Sequence, residues 1–306
     1  LRPRRFRVER ARREREKHYK IMGGESNLLP DAVHWPKLCL LRGLRHYRED
    51  HRGHHRAAVV HTRHTIAVVV PAYNEGGEGE RLRATLASVF AQSRRVDRII
   101  VVDDCSTDDT AAVALEFGVT VVRPPTNTGA KSRAQNYGLQ FVKEDIVLTI
   151  DADTVLDQHY VWWIEWVMSN PGVAAAAGCV LPQKSETPTE RGRLIEGLLG
   201  FHFFRPVQAM TGASIVLAGC CTATRTSLLK AAGGIPTRTI TEDMDWTWTL
   251  QEQGWVTAYV PQAVVYTAEP KSVKLMAKQL NRWSSGFFQN LRHHRLSNLW
   301  RHRPML

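Results

Sequence analysis

The 306-residue chain has only five cysteines, Cys39, Cys105, Cys179, Cys220 and Cys221, and none are spaced as Cys-x-x-Cys. So small and odd a set argues against a disulfide framework or a zinc site and fits a reducing cytosol. No run approaches the ~18 consecutive apolar residues of a membrane span, and the charged amino terminus encloses no apolar signal core. Leu1 is not a methionine and Leu306 follows directly on a basic, aromatic stretch, which leaves room for membrane segments beyond both ends. No internal repeat occurs, nor any low-complexity segment outside the basic ends. Acidic residues are missing from 271–306, which holds eight Lys/Arg, and residues 1–64 carry 17 Lys/Arg against seven Asp/Glu. A chain of formal charge +11 therefore has an acidic centre. That pattern suits a metal-using enzyme whose ends touch an anionic membrane surface, although it equally describes a pair of solvated arms. Nucleic acid is disfavoured, because the arms lack the aromatic interleaving of a stacking platform.

What is present points to one large α/β domain, with 43 % apolar residues to build its core. Residues 1–20 are almost all charge and read as an exposed helix or arm. Trp35, Leu38, Leu40, Leu41 and Leu44 suggest an amphipathic helix followed by a polar connector. The connector's histidines, His51, His54, His55, His61 and His64, are too loosely spaced and too basic in surroundings for a metal site. At Thr65 the pattern changes, which divides the chain into an extension (1–64), a catalytic domain (65–270) and a basic carboxyl-terminal helix (271–306). Apolar runs at 66–70, 98–102, 119–122 and 146–150 read as buried strands of a mostly parallel sheet, separated by helices near 81–91, 110–117 and 132–142. Beyond them the pattern predicts helices at 160–168, 190–210, 227–232, 243–252 and 272–296, and strands at 173–180, 214–218 and 256–260. The four strands end in Tyr73-Asn74-Glu75, Asp103-Asp104, Arg123 and Asp151-Ala152-Asp153, and ligands of open α/β sheets bind beyond such carboxyl ends.

Several motifs carry chemistry. Asp151 and Asp153 alternate along extended chain, so both carboxylates can reach one hard cation, which would offset charge on a departing diphosphate. Asp103 and Asp104 can accept hydrogen bonds from a base and a ribose. After Pro71, Tyr73 offers a stacking face and Glu75 a carboxylate for the polar edge of a base. Lys131 opens a helix and can face a phosphate. Thr241-Glu242-Asp243 begins another helix, and its carboxylates suit proton abstraction from an attacking hydroxyl. Gln279, Arg282 and Trp283 share one helix face, where Arg282 can clamp a pyrophosphate and Trp283 can stack on a sugar. Taken singly, these features also describe solvated turns, helix caps, a surface lysine and a packed Trp/Arg pair.

Their order is more specific. Pro71-Ala-Tyr-Asn-Glu75, Asp103-Asp104, Lys131-x-x-Ala134-x-Asn136, Asp151-x-Asp153, Thr241-Glu-Asp243 and Gln279-x-x-Arg282-Trp283 resemble glycosyltransferase family 2. Within it, they are most similar to the processive cellulose, chitin, hyaluronan and poly-N-acetylglucosamine synthases. The resemblance spans roughly Thr65 to Arg295 and includes Gly219-Cys-Cys-Thr-Ala-Thr-Arg225, similar to an acceptor-side loop, and the Gly233-Gly234 turn. It implies a GT-A, Rossmann-like fold, a UDP-sugar donor (UDP-glucose or UDP-N-acetylglucosamine), Mg²⁺ or Mn²⁺, and an inverting displacement that forms a β-linkage. It further implies that Pro71, Tyr73, Glu75, Asp103, Asp104, Lys131 and Asp151 hold the nucleotide. Asp151 and Asp153 would face the metal and Asp243 would serve as base. Gln279, Arg282 and Trp283 would frame pyrophosphate and acceptor. The expected setting is the cytoplasm, at the inner face of the cell membrane, with glycan extension as the reaction. A single-addition transferase acting on a lipid or protein and a non-catalytic nucleotide-sugar binder are the alternatives. The sequence departs from the family where Ala130 precedes the displaced Lys131, where Cys220-Cys221 occupies a loop usually built of small or apolar residues, and where no channel-forming membrane helix occurs.

Overall fold

The computed structural model describes residues 63–76, 80–210, 214–270 and 272–294. The amphipathic helix expected at 35–44, histidines 51, 54, 55 and 61, and residues 295–306 of the basic carboxyl-terminal stretch lie outside them. Eight strands form one sheet: β1 (Ile66–Ala72), β2 (Arg98–Asp103), β3 (Thr120–Val122), β4 (Ile146–Ile150), β5 (Val155–Leu156), β6 (Val173–Pro182), β7 (Cys221–Arg225) and β8 (Val256–Thr267). Their order across the sheet is β3-β2-β1-β4-β7-β6-β8-β5. Helices α1 (Glu80–Phe90), α2 (Thr110–Glu116), α3 (Lys131–Leu139), α4 (Tyr160–Met168), α5 (Pro188–Leu199), α6 (Arg205–Met210), α7 (Thr226–Ala231), α8 (Glu242–Glu252) and α9 (Val273–His293) accompany it.

The half formed by β3, β2, β1 and β4 is parallel. Continuous apolar strands suit this arrangement, because a parallel sheet is covered on both faces, and every residue of β4 is buried. Helix α3 packs on β1 and β2, and α4 on β6 and β8. The second half is mixed: β7 runs antiparallel to both β4 and β6, while β6 and β8 run parallel. The pairing of Ile150 with Cys221 has a functional consequence. Because β7 runs opposite to β4, its leading segment, Gly219-Cys220, arrives where β4 ends and Asp151 begins.

Three sequence expectations change. The strand expected at 214–218 is an irregular segment. Its backbone groups are taken by side chains of α8: the Leu217 N–H donates to Thr247 Oγ1, while the carbonyls of Ile215 and Ser214 accept Trp248 Nε1 and Gln251 Nε2. The neighbouring strand is β7 instead. The helix expected over 190–210 begins at Pro188, behind a capping box of Thr187 and Glu190, and passes through a π-helical turn at Gly200–Phe204 before α6. Finally, β8 extends to Thr267, past Pro261, with a register shift against β6.

Candidate active site

Sequence and topology bring the polar ends of β1, β2 and β4 to the same edge of the sheet. After β1 the chain turns through Asn74, whose φ of 55° lies in the left-handed region that asparagine tolerates. Its N–H donates to Ser106 Oγ at 3.0 Å and its Oδ1 accepts the Thr107 N–H at 2.9 Å, tying the β1 turn to the β2 turn. Tyr73 is left half-exposed (52 %), as a stacking platform requires. The Glu75 N–H donates to Thr110 Oγ1 at 2.8 Å. Pro71 lies within β1, opposite Val102.

The two adjacent aspartates differ. Asp103 is fully buried; its Oδ1 accepts the Ser106 N–H at 2.9 Å and its Oδ2 meets Arg123 Nη1 at 2.8 Å, so it braces β2 against the end of β3. Asp104 receives the Thr128 N–H and hydroxyl, each at 2.8 Å, and thereby fixes the loop leading to α3. Sequence reasoning marks Arg123 as the polar end of the third strand and does not single out Thr128; the partners of both appear only through these long-range pairs. Asn136 likewise does local work: its amide closes on Ile235 N–H and C=O at 2.7 and 2.9 Å. Gly234 makes that clasp possible, since its φ is +104° and a Cβ there would lie 2.5 Å from Asn136 Oδ1.

Lys131, at the start of α3, is where the site converges. Its Nζ lies 2.5 Å from Asp151 Oδ1 and 4.0 Å from Glu242 Oε1, and donates to the Gly219 carbonyl at 3.1 Å. Burial opposes its charge, but Asp151 and Glu242 outweigh that and hold its pKa above the ordinary lysine range. Glu242 is pushed up by burial, with Lys131 opposing and the Asp243 charge adding to the rise. The next residue, Asp243, is fixed by backbone: its Oδ2 accepts the Gly219 N–H at 3.1 Å and its Oδ1 the Met244 N–H at 2.8 Å. A pocket between α3, β4, β7 and α8 opens here, with Gln135, Gly219, Glu242, Asp243 and Trp246 among its lining.

Asp153 follows Asp151 at the end of β4. Burial and then the Asp151 charge raise its pKa, against the opposing charges of Arg81 and Lys131. A carboxyl pair whose second member resists ionisation is short of positive charge, and its oxygens are the donors that a hard divalent cation prefers. Among the described residues no three His, Cys, Asp or Glu side chains gather into a metal cage.

Gln279, Arg282 and Trp283 lie on α9. Trp283 sits beneath the Arg193 guanidinium of α5, 5.1 Å from Cζ to ring centre, and Arg193 is itself paired with Glu269 at 2.9 Å. Gln279 Oε1 is buried without a hydrogen-bond partner, and Arg282 is exposed. Among the described residues, Gly286, Gln289 and Asn290, one to two turns further along α9, meet Ile240 and Thr241 just ahead of Asp243.

This geometry can be set beside known proteins. Residues 63–286 match the model of the glycosyltransferase-like family 2. Poly-beta-1,6-N-acetyl-D-glucosamine synthase of Staphylococcus epidermidis is 29 % identical over 226 residues, 72 % of this chain and 54 % of that protein. The synthase of Staphylococcus aureus strain COL is 27 % identical over the same shares. The chain thus spans about half the length of the curated relatives it matches. Among solved structures, a mannosyltransferase from Pyrobaculum calidifontis in complex with GDP-Man and Mn²⁺ superposes with a TM-score of 0.63 at 22 % identity, covering 84 % of this chain and 72 % of that one. Glucosyl-3-phosphoglycerate synthase from Mycobacterium tuberculosis, in complex with Mn²⁺, UDP and phosphoglyceric acid, gives 0.54 at 21 %, covering 74 % and 79 %. With a mixed eight-stranded sheet flanked by helices and a family match over most of its length, the chain belongs to the glycosyltransferase-like family 2 and has the GT-A fold.

Proposed function

We propose that this chain transfers a sugar, glucose or N-acetylglucosamine, from its UDP derivative to an acceptor hydroxyl with inversion, and so extends a β-linked glycan. The observation that carries this reading is the junction at the β4/β7 edge, where Asp151, Lys131, Gly219, Glu242 and Asp243 meet within hydrogen-bonding and ion-pairing reach. The relatives are poly-beta-1,6-N-acetyl-D-glucosamine synthases, which supports the sugar and the linkage class.

In this reading Tyr73 stacks on the uracil, while Glu75 and Asp104 hold the polar edge and ribose. Lys131 steadies the carboxylates around the diphosphate. Asp151 and Asp153 would hold Mg²⁺ or Mn²⁺, whose charge offsets that of the departing diphosphate. Asp243 takes the proton of the acceptor hydroxyl as its oxygen attacks the anomeric carbon. The bond to the diphosphate breaks on the opposite face, which inverts that carbon. Arg282 and Trp283 guide the acceptor side. An anionic membrane surface is the proposed setting: α9 presents Lys274, Lys278 and Arg282 beside the exposed Val273, Leu275 and Phe288. No described helix is long and apolar enough to cross a membrane.

Incubation with a panel of UDP-sugars, Mn²⁺ and oligosaccharide acceptors, with UDP release and product linkage measured, tests the proposal. A β-linked product from UDP-N-acetylglucosamine or UDP-glucose is expected. Absence of UDP release across the panel, or an α-linked product, would overturn it.

A further inference from the structure

The end of α9 is fastened to the segment that carries Asp243 through groups given no contact with donor or acceptor in the proposed reaction. Asp245, two residues past Asp243, is fully buried and accepts Arg238 Nε at 2.9 Å and Nη2 at 2.7 Å. Its Oδ1 also meets His294 Nε2 at 2.9 Å. The other ring nitrogen, Nδ1, lies 3.0 Å from Glu252 Oε2 at the far end of α8, and the ring stands edge-on to Trp248. One turn back, Asn290 Nδ2 donates to Thr241 Oγ1 at 2.9 Å, and Gln289 Oε1 accepts the Ile240 N–H at 3.0 Å. Gly286 permits this approach, since a Cβ there would lie 2.3 Å from Thr241 Oγ1.

These contacts bear on the first turn of α8. The Asp243 carboxylate is held by two backbone N–H groups, from Gly219 and Met244, so its direction follows the position of that turn. Asp245 lies in the same turn and anchors it from the inside. A buried carboxylate that loses a cationic partner must take up a proton or move, and either change shifts the turn.

We propose that Asp245 is a positioning residue for Asp243, and that His294 is the bolt through which α9 supports it, so that sugar transfer requires His294 to be charged. The proposal rests on reading Asp243 as the base. The charged groups facing the His294 ring are Asp245 and Glu252, with Arg238 beyond Asp245. Burial opposes the imidazolium, but the two carboxylates outweigh it and raise its pKa above the ordinary histidine value. The bolt is therefore closed below that ordinary value and opens as pH rises through the raised one.

The test measures kcat, donor KM and melting temperature across pH for the wild-type chain and for H294Q, R238Q and D243N. Wild-type kcat should fall on the alkaline side while donor KM stays flat. Because a misplacement of ~1 Å can cost ~10²-fold, H294Q should lower kcat by about tenfold or more at neutral pH with donor KM little changed, and should lack the alkaline limb. R238Q, altered at a half-exposed side chain, should fold and lower kcat by a smaller factor. H294Q with wild-type kcat and an unchanged pH profile, alongside an inactive D243N, overturns the bolt alone. D243N with near-normal kcat overturns the base and the bolt together. If H294Q does not fold, a flat wild-type profile together with unaltered kcat in R238Q overturns the proposal.

Discussion

Lys131 Nζ and Asp151 Oδ1 lie 2.5 Å apart, and through that contact the start of α3 is joined to the end of β4. The same ammonium reaches the Gly219 carbonyl and Glu242, so it ties the leading segment of β7 and the first turn of α8 to the donor side of the crevice. Replacing it with methionine keeps the bulk and removes the charge, leaving Asp151, Glu242 and Asp153 to repel one another. A hydrogen bond to a charged group is worth about 1.5–3 kcal/mol, or roughly 10–100-fold in affinity. Lys131→Met is therefore expected to raise donor KM by about that factor while the protein stays folded, as calorimetry of UDP binding would show.

The Asp151/Asp153 pair leads to a second expectation. The burial and neighbouring charge that raise the Asp153 pKa are relieved when a divalent cation arrives, so transfer should stop in excess chelator and return with Mn²⁺ or Mg²⁺. Asp153→Asn should weaken the apparent metal affinity without changing the melting temperature of the metal-free protein by more than about 1 kcal/mol equivalent. Full transfer in chelator would remove the metal from the reaction.

Strands β1, β2 and β4 were legible because burial on both faces demands unbroken apolar runs, and the acidic residues that follow them lie at the edge where the candidate site is found. The Ser214–Ala218 segment has a similar composition yet forms no strand. Its donors and acceptors are claimed by Thr247, Trp248 and Gln251, more than 25 residues away along the chain. Conversely, β7 alternates cysteine, threonine and alanine and shows no apolar run, although it occupies the centre of the sheet.

Residues of the candidate site could be named one at a time from the sequence, but not their pairings. Nothing local distinguishes Asp103 from Asp104; the inward turn of the first depends on Arg123, 20 residues on. Asp245 looks like one more acid in a helix's first turn until His294, 49 residues later, is brought against it. Long-range ion pairs of this kind leave no spacing signature, because the intervening β8 strand and α9 set the distance.

That pair also predicts how stability varies with pH. Despite burial, hydrogen bonds from His294 and Arg238 hold the Asp245 carboxyl down at about 2. Compared with ~3.9 in an unfolded chain, this contributes about 2–3 kcal/mol that is present above ~3.9 and lost as pH falls towards the folded value. His294 behaves oppositely: its raised pKa stabilises the fold below the unfolded value of ~6.5 and ceases to do so as pH rises through the folded one. The melting temperature should therefore be highest between about pH 4 and 6.5. In H294Q the alkaline decline should flatten, and a wild-type curve without either decline would contradict the assignment.

The last prediction concerns Asp243, on which the mechanism turns. An attacking hydroxyl is a poor nucleophile until a base begins to take its proton, and a positioned carboxylate contributes ~10²–10⁴-fold to such a step. Asp243→Asn is therefore expected to lower kcat by at least about 10²-fold. Donor affinity should be nearly unchanged, since Tyr73, Asp104, Lys131 and Asp151 lie on the other side of the junction. Some loss of stability is also expected. The carboxylate accepts the Gly219 and Met244 N–H groups with separate oxygens, and an amide offers only one, so one donor goes unpaired at a cost of about 1–3 kcal/mol. Glu242 is the adjacent competitor, with its pKa raised and its carboxylate 4.0 Å from Lys131. Glu242→Gln should instead disturb donor binding through Lys131 and leave most of kcat. If Glu242→Gln abolishes turnover and Asp243→Asn merely melts earlier, the base is Glu242, and Asp243 serves only to hold the Gly219 loop.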